Sequence, residues 1–198
     1  QGVVAKCCLP KTAWPPTYLE KTITLPTEQR TADTTAEQYL SLMRASDDAL
    51  RDLIAHYEQS PEPTMIVFFG DHQPPLKNAF YEQLYGKPLD QRTTEEVLKQ
   101  YATPFFLWTN YDIQEREDVV LSPNYLGVLT AQTAGLPLTG YMNFLAQMYQ
   151  ELPVITPVGL ITADGQTLTE SELNGEQQEW LWKYETFNYC GKSEAKRS

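Results

Sequence analysis

An adjacent aspartate and histidine, Asp71 and His72, close the most apolar short segment of the chain. The segment, residues 65–69, ends on Gly70 and is typical of a strand buried on both faces of a parallel sheet. In open α/β sheets, ligands and catalytic groups sit at this end of a strand. Asp supplies a hard oxygen and His a borderline nitrogen, a mixture that suits Zn²⁺ or Mn²⁺. The dipeptide is therefore the candidate metal-binding pair.

The spacing of this pair also fits a simpler interpretation, in which Asp71 caps the following turn and His72 is solvated. A functional role is favoured because Gly70 allows the backbone to bend and to approach a ligand closely. The other histidine, His56, lies roughly 100° from the centre of an apolar helix stripe and is predicted to be a surface residue. With two histidines in these positions, the sequence does not predict a Ser-His-Asp catalytic arrangement. The stretch 135–140 has two glycines but lacks the following lysine of a phosphate-binding loop.

Composition and net charge argue against several classes of function. The 198 residues suffice for one domain with a core, and the net charge of −11 argues against nucleic-acid binding, which needs clustered Lys and Arg. No apolar stretch approaches the roughly 20 residues that span a bilayer. The three cysteines, Cys7, Cys8 and Cys190, fit neither a zinc cluster nor a disulfide framework, and they are predicted to be unpaired thiols.

A long amphipathic helix and a second apolar strand would position the pair. Residues 34–58 repeat apolar side chains at helical spacing, and Thr34 with Glu37 predicts a capping box at the start. Two i,i+4 ion pairs are predicted on the exposed face: Asp47 with Arg51, and Arg44 with Asp48. Residues 103–109 predict the second buried strand. Caps and turn residues predict further helices that end at Gly86, begin near Thr93, Pro123 and Thr139, and run over 175–189, with a hairpin at 161–168.

The segment Phe69-Gly70-Asp71-His72-Gln73-Pro74, with several ordered blocks around it, resembles the lipoteichoic acid synthase-like branch of the alkaline phosphatase and sulfatase superfamily. The other blocks lie at 37–42, 46–49, 80–81, 84–87, 101–105, 124–126 and 134–137. The resemblance implies a partial alkaline phosphatase-like α/β sandwich of mostly parallel buried strands with flanking helices, then a C-terminal hairpin and helix. It also implies three parts: an irregular segment (1–33, with a short edge strand at 23–25), the C-terminal half of a sulfatase-like catalytic domain (34–160), and the hairpin, terminal helix and tail (161–198).

The same resemblance implies a chemistry. Asp71 and His72 match two ligands of a divalent metal, commonly Mn²⁺ and otherwise Mg²⁺ or Zn²⁺, that a Glu and a nucleophilic Thr complete. The Thr attacks a phosphodiester, such as phosphatidylglycerol, and passes glycerol phosphate to an acceptor. The metal would lower the pKa of the Thr and stabilise charge on the phosphoryl oxygens. The implied partners are a phospholipid head group or a glycerol phosphate polymer, and the implied location is the outer face of the cell membrane, through N-terminal helices of a parent protein.

The family's Glu and nucleophilic Thr are expected upstream of Gln1, and residues 1–18 match nothing in the family, so they may be foreign to the native sequence. We therefore expect the chain alone to be catalytically inactive, to bind Mn²⁺ weakly, and to be marginally stable or self-associating because its sheet has an uncovered edge. Two alternatives stay open at this point. One is a sulfatase or phosphodiesterase of the same superfamily, and the other is a non-catalytic, truncated or degenerate homologue.

Overall fold

The computed structural model describes residues 21–195, and side chains through residue 188. Cys7, Cys8 and the side chain of Cys190 lie outside this range, as do residues 1–18, so the predictions made for them stay predictions. The chain divides into two compact units. The first ends at Glu62 and resumes over Gln73–Gln91, and the second comprises Pro63–His72 and the chain from Arg92 onward. The mixture of helices and small sheets confirms the α/β class.

The first unit is helical. It contains α1 (Thr27–Ala32), α2 (Ala36–Glu58), α3 (Asn78–Tyr85) and a short 3-10 helix (Leu89–Gln91). Helix α1 falls within the segment predicted to be irregular, and Pro26 precedes it, where a fixed φ suits a helix start. Helix α3 ends as predicted at Gly86, whose φ of 68° is left-handed.

The predicted edge strand at 23–25 is wrong. The backbone N–H of Ile23 donates to the Ser41 hydroxyl (3.1 Å), and that of Leu25 donates to the Glu37 carboxylate (3.1 Å). Because side chains of α2 take these donors, the segment lies along the helix and pairs with no strand in the described part of the chain.

The predicted capping box of Thr34 and Glu37 is also wrong. The N-cap residue is Thr35, which makes no side-chain cap hydrogen bond. Asp33 orders the turn before α2 instead, since its Oδ1 accepts the N–H (2.8 Å) and the hydroxyl (2.6 Å) of Thr35, while its Oδ2 accepts the N–H of Lys77 (2.6 Å). The hydrogen bond from the Thr35 side chain is the main cause that lowers the pKa of Asp33. The N–H of Leu25 likewise lowers the pKa of Glu37.

Helix α2 is only partly covered. Its buried residues lie at the N-terminal end, whereas Met43 and Leu53 on the predicted apolar stripe are 42% and 43% exposed. The ion pair of Arg51 with Asp47 is confirmed at 2.9 Å. Asp48, predicted to pair with Arg44, pairs with Arg51 instead, also at 2.9 Å. His56, predicted to be a surface residue, is exposed.

In the second unit, β1 (Met65–Phe69) and β2 (Phe105–Thr109) form a two-stranded sheet. Both strands lie where the sequence predicts them, but their pairing is antiparallel, with Met65 opposite Thr109 and Phe69 opposite Phe105. The predicted parallel arrangement is wrong here, and every strand pair between residues 21 and 195 is antiparallel. The prediction that β1 is buried on both faces is wrong as well, because its residues are half-buried and Phe69 is 55% exposed.

The remaining helices of the second unit begin close to the capping residues that the sequence predicts. The helices are α4 (Thr94–Tyr101), α5 (Pro123–Thr133), α6 (Gly140–Met148) and α7 (Gly175–Ala195), with a 3-10 helix over Glu170–Glu172. Thr93 and Glu96 form a reciprocal capping box on α4, and the Thr139 hydroxyl accepts the N–H of Met142 at the start of α6. A three-stranded antiparallel sheet joins β3 (Val154–Thr156), which the sequence reasoning missed, to the predicted hairpin of β4 (Gly159–Ile161) and β5 (Thr167–Leu168).

The best-packed core of the molecule lies in this second unit. Tyr125, Met148 and Leu152 are almost fully buried, with Leu145 and Leu160 around them. The buried Ser122 hydroxyl ties α5 to β3, since it donates to the carbonyl of Ile155 (3.0 Å) and accepts its N–H (2.6 Å). None of the helices within residues 21–195 combines the length and apolarity that crossing a bilayer requires.

Candidate metal centre

Asp71 and His72 lie together just beyond the end of β1, as the sequence predicts. The backbone N–H of His72 donates to Asp71 Oδ1 (2.8 Å), and His72 Nε2 lies 3.4 Å from Asp71 Oδ2. The two side chains therefore present a carboxylate oxygen and an imidazole nitrogen at one place. Both are largely in solvent, at 82% exposure for Asp71 and 72% for His72.

Gly70 fixes the position of the pair by its contacts with the start of β2. Its N–H donates to the carbonyl of Pro104 (3.0 Å), and its carbonyl accepts the hydroxyl of Thr103 (2.8 Å). A Cβ placed on Gly70 would lie 2.8 Å from the Cβ of Thr103, closer than side chains approach one another. The glycine predicted to let the backbone approach a ligand in fact lets it approach Thr103.

Fold stability does not account for the Asp71–His72 contact. A side-chain contact as exposed as this one contributes about 0–1 kcal/mol, because water competes with both partners. The hydrogen bonds of Gly70 already anchor the end of the strand without either side chain. The arrangement thus holds two metal-ligating groups at an accessible point where the fold gains little from them.

The donor pair fits part of a metal shell. Asp71 Oδ2 and His72 Nε2 lie 3.4 Å apart, close enough for both atoms to ligate one ion. A shell needs more than two donors, and the described residues contain no group of three or more His, Cys, Asp or Glu side chains that could hold an ion. Asp71 and His72 can supply two ligands, and other donors must complete the site.

Thr103 is the site residue that sequence reasoning missed. It was predicted only as the first residue of a strand, yet it binds the residue before Asp71 through its hydroxyl and its methyl-bearing Cβ. A glycine at the end of an apolar strand was the available signal, since glycine there marks a close approach by another group. The sequence did not show that Thr103, thirty-three positions along the chain, is that group.

Comparison with known proteins places the chain in a family. The family described as "Sulfatase" matches residues 11–136, more than half of the chain. The match includes residues 11–18, so the prediction that residues 1–18 match nothing in the family is wrong for that part. The chain belongs to the sulfatase family. The resemblance to the alkaline phosphatase and sulfatase superfamily, inferred from the residues around Asp71 and His72, is confirmed.

One solved structure and one curated protein extend this sulfatase-family assignment. The chain is similar to the Streptococcus pyogenes phosphoglycerol transferase GacH in complex with sn-glycerol-1-phosphate, with a TM-score of 0.53 and 16% identity over 80% of this chain. That likeness confirms the alkaline phosphatase-like α/β fold. The chain is also 26% identical, over 135 residues and 67% of its length, to a "Putative cyclic beta-1,2-glucan modification protein" of Rhizobium meliloti (strain 1021).

The chain spans 34% of GacH and 21% of the Rhizobium protein. Membership of the sulfatase family and the fold shared with GacH are consistent with each other, since both belong to the alkaline phosphatase and sulfatase superfamily. Members of this superfamily use divalent metals, which agrees with the chemistry of an adjacent carboxylate and imidazole.

Proposed function

We propose that this chain is the C-terminal part of the catalytic domain of a metal-dependent phosphoglycerol transferase. The transferase acts on phosphodiesters of the phosphatidylglycerol type at the outer face of the cell membrane. The observation that carries the proposal is the accessible Asp71–His72 pair, whose Oδ2 and Nε2 lie 3.4 Å apart at the end of a strand in a sulfatase-family fold.

In this proposal Asp71 and His72 supply two ligands of a divalent ion, Mn²⁺ by preference. When bound, the ion supplies Lewis-acid chemistry that activates a nucleophile and stabilises charge on the phosphoryl oxygens. Thr103 and Gly70 hold the end of the strand, so the backbone that carries the two ligands is fixed in place. The nucleophilic Thr and the remaining ligands come from outside the described residues.

The relatives suggest the donor and the acceptor. GacH is a phosphoglycerol transferase whose structure contains sn-glycerol-1-phosphate, so we propose glycerol phosphate as the transferred group. The Rhizobium protein is described as modifying a cyclic β-1,2-glucan, so we propose a glucan as the acceptor. The membrane, a phospholipid head group and a glycerol phosphate polymer are the corresponding partners. Nucleic acid is not among them, because the chain carries a net charge of −11.

Mn²⁺ titration of the chain, followed by electron paramagnetic resonance of the free ion, tests the site. We expect weak binding that Asp71→Ala and His72→Ala each reduce by about ten-fold or more, since each substitution removes one of two ligands. Asp112→Ala is the matched control, because Asp112 is an exposed aspartate of the same unit outside the pair. Binding that is equal in all four proteins, or lost equally in the Asp112 variant, would refute the assignment.

A sulfatase or phosphodiesterase is the second candidate, favoured by the description of the matching family. Hydrolysis and transfer share the same metal and nucleophile, so the pair itself does not separate them. Turnover of phosphatidylglycerol and of an aryl sulfate by the full-length protein does. We expect diacylglycerol to be released while glycerol phosphate becomes attached to the added glucan acceptor. Free glycerol phosphate in place of that product would establish a phosphodiesterase, and turnover of the aryl sulfate alone would establish a sulfatase.

A non-catalytic homologue is the third possibility carried over from the sequence. Absence of both activities from the full-length protein, together with wild-type Mn²⁺ binding in Asp71→Ala, would establish it.

A further inference from the structure

A cleft lies within the second unit, lined by α5, α6 and the loop before α5. Its volume is about 430 Å³, within the range of small-molecule sites in proteins. The sequence predicted two helices here, beginning near Pro123 and Thr139, and gave no sign of a binding site. The cleft is formed by residues distinct from Asp71, His72 and the residues that anchor them.

The inner part of the cleft is apolar and well supported. Tyr125 and Val128 line it and are buried in the main core, with Ala146 and Tyr149 beside them. The Tyr125 hydroxyl donates to the carbonyl of Leu152 (2.8 Å), and the rings of Tyr125 and Tyr149 meet edge to face at 5.4 Å. These contacts make the floor rigid, because both rings are held by neighbours in the core.

The outer part of the cleft is polar. Arg116, Glu117, Gln132 and Gln150 line it, and all four residues are exposed. Each carries a flat group with two or more hydrogen-bonding positions: a guanidinium, a carboxylate and two amides. Among the residues that the structure describes, no hydrogen bond or ion pair engages any of these four side chains. The donors and acceptors at the mouth are therefore available to a ligand.

An apolar, partly aromatic floor beneath flat polar groups matches the chemistry of a pyranose ring. The ring offers a C–H face to apolar side chains and a rim of neighbouring hydroxyls, each both donor and acceptor, to amides, carboxylates and guanidinium groups. An acyl chain would leave the four polar groups at the mouth unused. A second phosphoryl group would meet Glu117 beside Arg116.

We propose that this cleft binds glucose units of the glucan acceptor. The inference rests on the proposed function, which requires an acceptor, and it adds the place where that acceptor is held. Gln132 and Gln150 act as specificity-determining residues by hydrogen-bonding sugar hydroxyls, and Tyr149 and Val128 provide the apolar surface.

Saturation-transfer difference NMR of the chain with sophorose, the β-1,2-linked glucose disaccharide, tests the cleft. We expect saturation of the sugar C–H protons and shifts of the Val128 and Tyr149 resonances. The double substitution Gln132→Ala with Gln150→Ala should weaken sophorose binding about ten-fold or more, because each lost hydrogen-bonding group contributes about 1 kcal/mol. Gln147→Ala is the matched control, since Gln147 is an exposed glutamine of α6 that does not line the cleft.

All variants should keep the wild-type melting temperature, because the substituted glutamines are exposed. Sophorose binding that is unchanged in the double variant, or that shifts no cleft resonance, overturns the proposal. So does a stronger response to dodecylphosphocholine micelles that persists in the double variant, because this detergent has an alkyl chain and no sugar, and the response would identify an acyl-chain site. Failure of the metal site would appear as Mn²⁺ binding insensitive to Asp71→Ala, a separate readout that leaves sophorose binding unaffected.

Discussion

The two apolar regions of the second unit differ in how completely their side chains are buried. Around α5, α6 and β3, Met148 and Leu152 are fully buried. Along β1 and β2 the residues are apolar throughout, yet they are only half-buried, and Phe69 is 55% exposed. The region that carries the candidate metal ligands is the less protected of the two.

This difference in burial means that the region that stabilises the fold most is not the region that carries the candidate metal ligands. The free energy of burial scales with apolar area removed from water, so the core of the second unit stabilises the fold more than the strand pair does. The strand pair instead relies on its backbone ladder and on the contacts of Gly70 with Thr103 and Pro104. Substitutions in the two regions should therefore change the free energy of unfolding by different amounts and for different physical reasons.

The largest effect should come from the buried core. Leu152→Ala should lower the free energy of unfolding by about 2–5 kcal/mol, because the cavity it leaves has no solvent to fill it. Val67→Ala on β1 should cost about 1 kcal/mol, since much of its side chain is already in contact with water. Urea denaturation followed by tryptophan fluorescence measures both. Equal costs would show that the strand pair is as well packed as the core.

Gly70→Ala should have the next largest effect, about 1–3 kcal/mol, because the new Cβ would lie 2.8 Å from the Cβ of Thr103. The same change at Gly127 is the control. A Cβ there meets only the terminal methyl of Met142 at 3.9 Å, so Gly127→Ala in helix α5 should stabilise by about 0.5–1 kcal/mol. Adding Thr103→Gly to Gly70→Ala should recover part of the loss. Loss of stability of equal size at both glycines would refute the steric explanation.

A smaller effect is expected where α4 begins. Thr93→Ala removes one side of the capping box with Glu96 and should cost about 1 kcal/mol. Ser46→Ala is the control, because that exposed hydroxyl returns only to the carbonyl of Leu42 in its own helix and caps nothing. Thermal unfolding by circular dichroism compares the two, and a cost at Ser46 that matches the cost at Thr93 would contradict the capping assignment.

The smallest and most local effect is expected at low pH, in the hydrogen bonds of Asp33. The pKa of Asp33 is lowered in the folded chain, so its stabilisation is fully present above its unfolded pKa of about 3.9 and is lost as pH falls through the folded value. We expect amide hydrogen exchange of Thr35 and Lys77 to accelerate below pH of about 4, while core amides near Leu152 stay protected. Asp33→Asn should accelerate both amides already at neutral pH. Thr35 and Lys77 amides that stay protected in the variant would rule out this role for Asp33.

Local features of the fold could be predicted from the sequence, because they depend on neighbours within one or two turns. The cap at Thr93, the helix end at Gly86 and the cap at Thr139 all appear where predicted, and the structure adds that Thr93 forms a capping box with Glu96. The turn before α2 could not be fully predicted, because Asp33 also binds a group 44 residues away, the N–H of Lys77.

The candidate site likewise has features that could be predicted from the sequence and features that could not. Asp71 and His72 could be placed at a strand end from hydrophobic pattern alone. The direction of β2 relative to β1 could not be predicted, because a connection as long as the one between the two strands permits either parallel or antiparallel pairing. The roles of Gly70 and Thr103 followed only once that direction was known.

The antiparallel pairing of β1 with β2 also bears on how this protein can vary over evolution. The chain leaves the second unit after His72, forms α3, and returns at Arg92, so that Thr103 and Pro104 lie against Gly70. The whole excursion is thus a closed loop tied at its base by two hydrogen bonds. Doubling the length of such a loop costs only about 0.6 kcal/mol of closure entropy. Insertions or deletions in the turns of this excursion, outside Lys77 and α3, which pack within the first unit, can therefore accumulate while the anchored base and the two ligands beside it remain as they are.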